Sequence, residues 1–210
     1  MIRFFRFLSL VLLISAGCSS PVANTDSAGE TIVCFGDSIT AGYGAGPNES
    51  YPALLGLKVK EEVINAGVSG ETTTAGRNRI EKDVLSHNPR IVIVEFGGND
   101  FLYQVPREET FRNIDQIIEM IQSHGAMVVL ATVKTGIFTD AYSQRFKEIA
   151  RKRKALWIPD IMRGIFDHPE FKSDEIHPNA EGYRMIAQRI YKEIKPLLNP
   201  RISVDAGSRN

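Results

Sequence analysis

The sequence predicts an α/β fold, a parallel sheet covered by helices on both faces. Three observations carry this expectation. Five short apolar runs, several rich in β-branched residues, recur along the chain, and three of them close on glycine. Stretches with helical spacing separate them. The polar residues able to do chemistry sit just beyond the apolar runs, at the edge where open α/β sheets hold their sites.

The first run, Thr31-Ile-Val-Cys-Phe35, breaks at once into Gly36-Asp37-Ser38. A buried strand emptying into a small-residue loop places Ser38 where a nucleophile would stand. The same residues also read as a plain cap for the following helix. Val63-Ile-Asn-Ala-Gly67 is a second strand, Ile91-Val-Ile-Val-Glu-Phe-Gly97 a third, Met127-Val-Val-Leu-Ala131 a fourth and Ala155-Leu-Trp-Ile158 a fifth. The clearest helix sets Phe111, Ile114, Ile117, Ile118 and Ile121 on one face and closes at Gly125. A last helix carries Tyr183, Ala187, Ile190 and Ile194 and is expected to end near Pro196. The tail from Asn199 to Asn210 is expected to fray.

The chain of 210 residues is 43% hydrophobic and 24% charged with a formal net charge of zero, which predicts one globular domain and argues against a nucleic-acid partner. The amino terminus stands apart. Arg3 and Arg6 precede an apolar stretch from Phe7 to Ile14 that is too short to span a bilayer, and Ser15-Ala-Gly-Cys18 follows. This resembles a bacterial lipoprotein signal with Cys18 as the lipidated residue, although Ser15 stands where leucine is usual. The alternative is a secretory signal cleaved near Ala16-Gly17. Either reading exports the protein, and the first anchors it to a membrane of the cell envelope, on the periplasmic face of the outer membrane if the cell is diderm. Residues 1–18 are thus signal and anchor, 19–29 a flexible tether, 30–198 the domain and 199–210 the tail. With Cys18 lipidated, Cys34 has no intrachain partner and reads as a small buried hydrophobe.

Three further polar segments could meet Ser38. Asn65-Ala-Gly-Val-Ser-Gly-Glu-Thr72 follows the second strand, and Gly67 there could present a bare backbone N–H. Gly97-Gly-Asn99-Asp100 follows the third, where Asn99 brings a side-chain amide; the alternative is a simple turn. Asp174-Glu-Ile-His177-Pro178 precedes the last helix, and its aspartate can reach back to hold the imidazole in one tautomer, unless the pair only caps that helix. A hydroxyl, a base oriented by a carboxylate, and donors for a developing oxyanion are the parts of an acyl-transfer site. No pair of His or Cys residues has metal-ligand spacing, so a metal site is not expected.

Phe35-Gly-Asp-Ser38-Ile-Thr, Gly67, Gly97-x-Asn99-Asp100 and Asp174-x-x-His177-Pro178 resemble, in order, the four sequence blocks of the SGNH (GDSL-type) hydrolases. The resemblance spans Thr31 to about Leu198. It implies a flavodoxin-like three-layer α/β/α sandwich with a five-stranded parallel sheet, and a cofactor-free serine hydrolase. It further implies Ser38 as nucleophile, His177 as base, Asp174 as the acid that orients it, and an oxyanion hole of the Ser38 and Gly67 N–H groups with the Asn99 side chain. Threonine at position 40 distinguishes Gly36-Asp-Ser38-Ile-Thr40 from the G-x-S-x-G elbow of α/β-hydrolases.

Within the family, the blocks around Asn65, Glu95 and Glu175 are similar to the arylesterase, thioesterase and lysophospholipase branch. The expected substrate is then a small aryl, acyl or lysophospholipid ester or thioester. Phe101 and Tyr103 after the third strand, and Ile137 and Phe138 after the fourth, would line the site, as would the Gly164-Ile-Phe166 loop; otherwise these residues pack their own loops. Two rivals remain: a carbohydrate O-deacetylase on the same fold, and a non-enzymatic exported lipoprotein that binds an anion. No Gly-Lys-Ser/Thr phosphate loop supports the second.

Overall fold

The computed structural model describes residues 22–134 and 140–198. Five parallel strands, β1 (Thr31–Gly36), β2 (Glu62–Gly67), β3 (Pro89–Glu95), β4 (Met127–Ala131) and β5 (Leu156–Ile158), form one sheet in the order β2-β1-β3-β4-β5. This is the doubly wound flavodoxin-like order, whose direction reverses between β1 and β3. The helices are α1 (Ser38–Ala41), α2 (Tyr51–Gly56), α3 (Thr73–Asp83), α4 (Gly98–Leu102), α5 (Arg107–Ser123), α6 (Asp140–Lys152) and α7 (Ala180–Leu198).

Two apolar layers arise from the two-residue alternation of the strands. Val33 and Phe35 of β1, with Val92 and Val94 of β3, pack on one face against Ile80 of α3, the five predicted apolar residues of α5, and Phe146 of α6. Ile32, Cys34, Ile91 and Ile93 pack on the other face against Leu55 of α2 and Tyr183, Ile186, Ile190 and Ile194 of α7. Every strand predicted from an apolar run is present, and the fold is the expected three-layer sandwich.

The last helix runs to Leu198, two residues past the Pro196 near which it is expected to end. The Arg90 guanidinium donates to the carbonyls of Leu197 (3.1 Å) and Leu198 (3.4 Å), pairing acceptors that a helix end leaves open. One sequence expectation is corrected. The tether reading fails from Val22 onward. Val22 is buried, Ala23 N–H donates to the Lys154 carbonyl (2.8 Å), and the Asn24 side chain donates to the carbonyls of Gln122 (2.8 Å) and Ala126 (3.0 Å). A composition of small polar residues reads as flexible, yet here it supplies the short hydrogen-bonding groups that dock the segment. Cys18 and the tail from 199 lie outside the described residues.

The approach of α3 to the loop after β3 offers a test of packing against propensity. A Cβ on Gly76 would lie 2.6 Å from the ring of Phe96, the residue two before Gly98. Alanine in a helix interior is worth about 1 kcal/mol over glycine, whereas overpacking a core costs roughly 1–3 kcal/mol. Gly76→Ala is therefore expected to lower the urea midpoint of unfolding; a raised midpoint would mean the ring moves aside freely.

Candidate active site

β1 delivers Ser38 to the carboxyl edge of the sheet, one strand from the loop that follows β3. Asp37 caps α1, its Oδ1 accepting from Ile39 N–H (3.0 Å), so the cap and the serine occupy adjacent positions of one turn. From the other end of the chain, the loop before α7 brings in His177. Its Nε2 lies 3.0 Å from Ser38 Oγ and its Nδ1 2.7 Å from Asp174 Oδ2. Asp174 Oδ1 also accepts the backbone N–H groups of His177 (2.7 Å) and Ile176 (2.9 Å). Burial opposes ionisation of Asp174, but these N–H donors and the imidazole outweigh it and hold the carboxyl at about 2.

Residues outside the sequence blocks hold this loop. The Tyr43 ring packs on His177 with centroids 4.4 Å apart, and buried Tyr183 donates its hydroxyl to the Tyr43 carbonyl (2.8 Å). A Cβ on Gly44, at φ +88°, would meet Ser173 Oγ, so glycine lets the two loops touch. Tyr43 carries no sequence signal for this role, since nothing in a linear reading marks a contact 134 residues away.

The candidate oxyanion donors differ from expectation at one position. Gly67 N–H is not bare: it donates to Asn65 Oδ1 (3.0 Å) within its own strand end. Its lack of a side chain serves packing instead, since a Cβ there would fall 2.2 Å from Ala41 N. Gly70, three residues on at φ +82°, has an N–H with no acceptor among the described residues, as does Ser38. Asn99 lies buried beside Ser38, its Nδ2 donating to the Glu71 carbonyl (3.0 Å) and, more weakly, to Asp37 Oδ2 (3.2 Å). Asp100 is structural, accepting from Thr73 N–H (2.9 Å) and Thr110 Oγ1 (3.2 Å).

A cleft opens at Ser38 and His177, lined by Phe101, Leu102, Val133, Met162, Phe166 and Ile176. Of the expected lining residues, Phe101 is in the wall, whereas Tyr103 is 63% exposed outside it and stands near Gly70. Ile137 and Phe138 lie outside the described residues. Leu102, between the two expected residues, is in the wall as well; Val133, Met162 and Ile176 were not anticipated, because isolated apolar loop residues carry no periodic signal.

Behind the serine runs a buried polar chain. Thr40 Oγ1 donates to Glu95 Oε2 (3.1 Å) and contacts the Tyr51 hydroxyl (3.0 Å), and the Glu95 and Asp37 carboxyls are hydrogen-bonded to each other. Gly36 makes room for it, since a Cβ would lie 2.2 Å from Thr40 Oγ1. Burial raises both carboxyls, Asp37 to about 6 and Glu95 well above the ordinary range, where the Asp37 charge adds to the effect. A carboxyl raised on folding contributes stability that is full below its unfolded value, near about 4, and is lost as pH rises through the folded value. Glu95→Gln keeps a donor toward Asp37 and an acceptor for Thr40 without a proton to lose. Its melting temperature is expected to exceed wild type at pH 8 by more than at pH 4, while Glu95→Leu is destabilised at both. A Gln-minus-wild-type difference independent of pH would contradict the shared proton.

The model of the GDSL-like Lipase/Acylhydrolase family matches residues 34–185. Thioesterase 1/protease 1/lysophospholipase L1 of Escherichia coli (strain K12) is 30% identical over 181 residues, covering 82% of this chain and 87% of that protein. The uncharacterized lipoprotein YqeF of Bacillus subtilis (strain 168) is 31% identical over 144 residues, 62% of this chain and 56% of that one. Among solved structures, the psychrotrophic esterase EstA from Pseudoalteromonas sp., inhibited by monoethylphosphonate, superposes with a TM-score of 0.72 at 26% identity, covering 81% of this chain and all of that one. The family match spans more than half of the chain and contains Ser38, Asn99, Asp174 and His177. The chain belongs to the GDSL-like lipase/acylhydrolase family and is a hydrolase of ester bonds.

Proposed function

We propose that the protein hydrolyses carboxylic or thio esters of small aryl, acyl or lysophospholipid substrates through an acyl-enzyme on Ser38. The observation that carries this reading is His177, whose two ring nitrogens lie within hydrogen-bond reach of Ser38 Oγ and Asp174 Oδ2 at once. In the proposed reaction, Nε2 takes the Ser38 proton as Oγ attacks the acyl carbonyl, and the Asp174 carboxylate stabilises the imidazolium. The imidazolium then protonates the departing oxygen or sulfur, and water repeats the sequence on the acyl-enzyme.

The negative charge on the tetrahedral intermediate is met by Ser38 N–H, the Asn99 amide and Gly70 N–H, the last replacing Gly67. Asn99 can serve by giving up its longer bond, to Asp37, for the oxyanion. One such donor is typically worth on the order of a hundred- to a thousand-fold in rate. The apolar cleft wall favours an aryl or acyl group over a sugar, because it offers few partners for hydroxyls. For localisation, the lipoprotein relative and the Arg3 to Cys18 pattern support export with a lipid on Cys18.

A chain-length series of p-nitrophenyl esters tests this reading. The purified domain is expected to cleave butyrate or longer esters with kcat/KM at least equal to that for acetate. Ser38→Ala is expected to lose at least a thousand-fold while unfolding at the wild-type temperature. Hydrolysis confined to acetyl esters would favour a deacetylase, and an alanine variant of near-wild-type rate would remove Ser38 from the mechanism.

A further inference from the structure

Arg79 of α3 lies outside the four sequence blocks, yet it is tied to two of the segments that carry the oxyanion donors. Its Nε donates to Glu71 Oε2 (2.6 Å) and its Nη2 to the Gly36 carbonyl (3.3 Å). Glu71 directly follows Gly70, and Gly36 lies two residues before Ser38. The guanidinium sits over the ring of buried Phe35, 4.7 Å from its centroid, and its Nη1 donates to Asp83 Oδ2 (3.3 Å) one turn further along α3. A planar fork that serves separate acceptors while it stacks on a ring is a guanidinium's geometry, which an ammonium does not reproduce. The Arg79 and Glu71 side chains are only 14% and 17% exposed, so water screens their pairing less than that of an open surface pair.

The loop that carries Gly70 needs such a tie. Val68, Ser69 and Gly70 are all exposed, and Gly70 adopts φ +82° with no side chain to pack. Hydrogen bonds at its two ends fix its course instead. Val68 N–H donates to the Gly36 carbonyl (3.0 Å), Glu71 N–H to the Val68 carbonyl (3.3 Å), and the Glu71 carbonyl accepts from Asn99 Nδ2 (3.0 Å). Gly36 and Glu71 stand at the ends of this set, and Arg79 joins those two residues to each other. With the Glu71 and Asp83 carboxylates both against it, the cation brings no net charge toward the oxyanion. What it supplies is position.

We propose that Arg79 is a positioning residue for oxyanion stabilisation: through Glu71 and Gly36 it holds Gly70 N–H and Asn99 Nδ2 in register with Ser38 N–H. This rests on the reading of the site as an acyl-transfer centre with Gly70 among its donors. Donors aimed in advance at a developing charge act in the transition state, so the effect of Arg79 falls on the chemical steps and not on binding of the neutral ester.

Hydrolysis of p-nitrophenyl butyrate by Arg79→Lys, Glu71→Gln, the double variant and Asp83→Asn tests this. Arg79→Lys keeps the charge and the apolar stem but loses the fork. Its kcat is expected to fall about ten- to a hundred-fold, since misplacing donors forfeits part of what deleting one costs. Acylation and deacylation both pass through the oxyanion, so both slow together and KM is expected to stay within about two-fold of wild type. Affinity for n-butylboronic acid, whose adduct on a serine oxygen is a tetrahedral anion, is expected to fall in parallel with kcat/KM. Glu71→Gln is expected to show the same pattern, and the double variant to lose no more than the larger single loss. Asp83→Asn breaks only the contact within α3 and is expected to keep the wild-type kcat. Wild-type kcat in Arg79→Lys and Glu71→Gln, a loss confined to KM, or single losses that multiply in the double variant would each overturn the positioning role. So would an equal loss in Asp83→Asn, which would make Arg79 a tie within its own helix. Should Arg79→Lys fail to fold, Glu71→Gln against Asp83→Asn decides between the same outcomes. A wild-type protein that cleaves no ester would instead refute the reading of the site, and the role of Arg79 with it.

Discussion

The contact between His177 Nε2 and Ser38 Oγ joins residues 139 positions apart, and the site depends on it. Neither residue is special where it stands in its own segment. The sheet makes them so, because parallel strands send their following loops to one edge, and the reversal between β1 and β3 leaves a crevice there. Ser38 and Asn99 arrive on adjacent strands by register alone. His177 has no strand to place it, and depends instead on the Asp174 carboxylate, the Tyr43 ring and the Tyr183 hydroxyl. The one member of the constellation that no strand places is thereby held by its own loop, by the loop after β1 and, through that loop, by α7.

Much of this was legible in the sequence because the relevant signals are local. A β-branched run closed by glycine marks a strand end whatever surrounds it, and Asp174 lies within three residues of the histidine it holds. What was not legible is long-range. Gly67 looked like a free donor because nothing in a linear reading assigns Asn65 Oδ1 to the N–H two residues later. Residues 22–29 looked like a tether because their partners, Gln122, Ala126 and Lys154, lie about a hundred or more residues away. Tyr43 and the apolar cleft wall belong to loops, where hydrophobicity has no period to read.

The buried pair of Asp37 and Glu95 joins stability to the site. Two acids behind a nucleophile are costly to desolvate, and one proton between them relieves much of that cost. In return the pair orders Thr40, the α1 cap and the Asn99 amide from beneath. Native proteins commonly hold such unfavourable groups at functional sites and compensate for them elsewhere in the fold. Here the compensation is the two apolar layers, which close over both faces of the central strands.

The central claim, that Ser38 carries the acyl group between His177-assisted steps, is tested most directly by trapping that intermediate. Acid-quenched pre-steady-state mixtures of the Asp174→Asn variant with excess p-nitrophenyl butyrate, analysed by peptide mass spectrometry, should contain one butyryl group on the peptide bearing Ser38. It should form at the rate of the p-nitrophenol burst and decay at the steady-state rate. Release of p-nitrophenol with an unmodified Ser38 peptide, or with the butyryl group on another residue, would contradict the account.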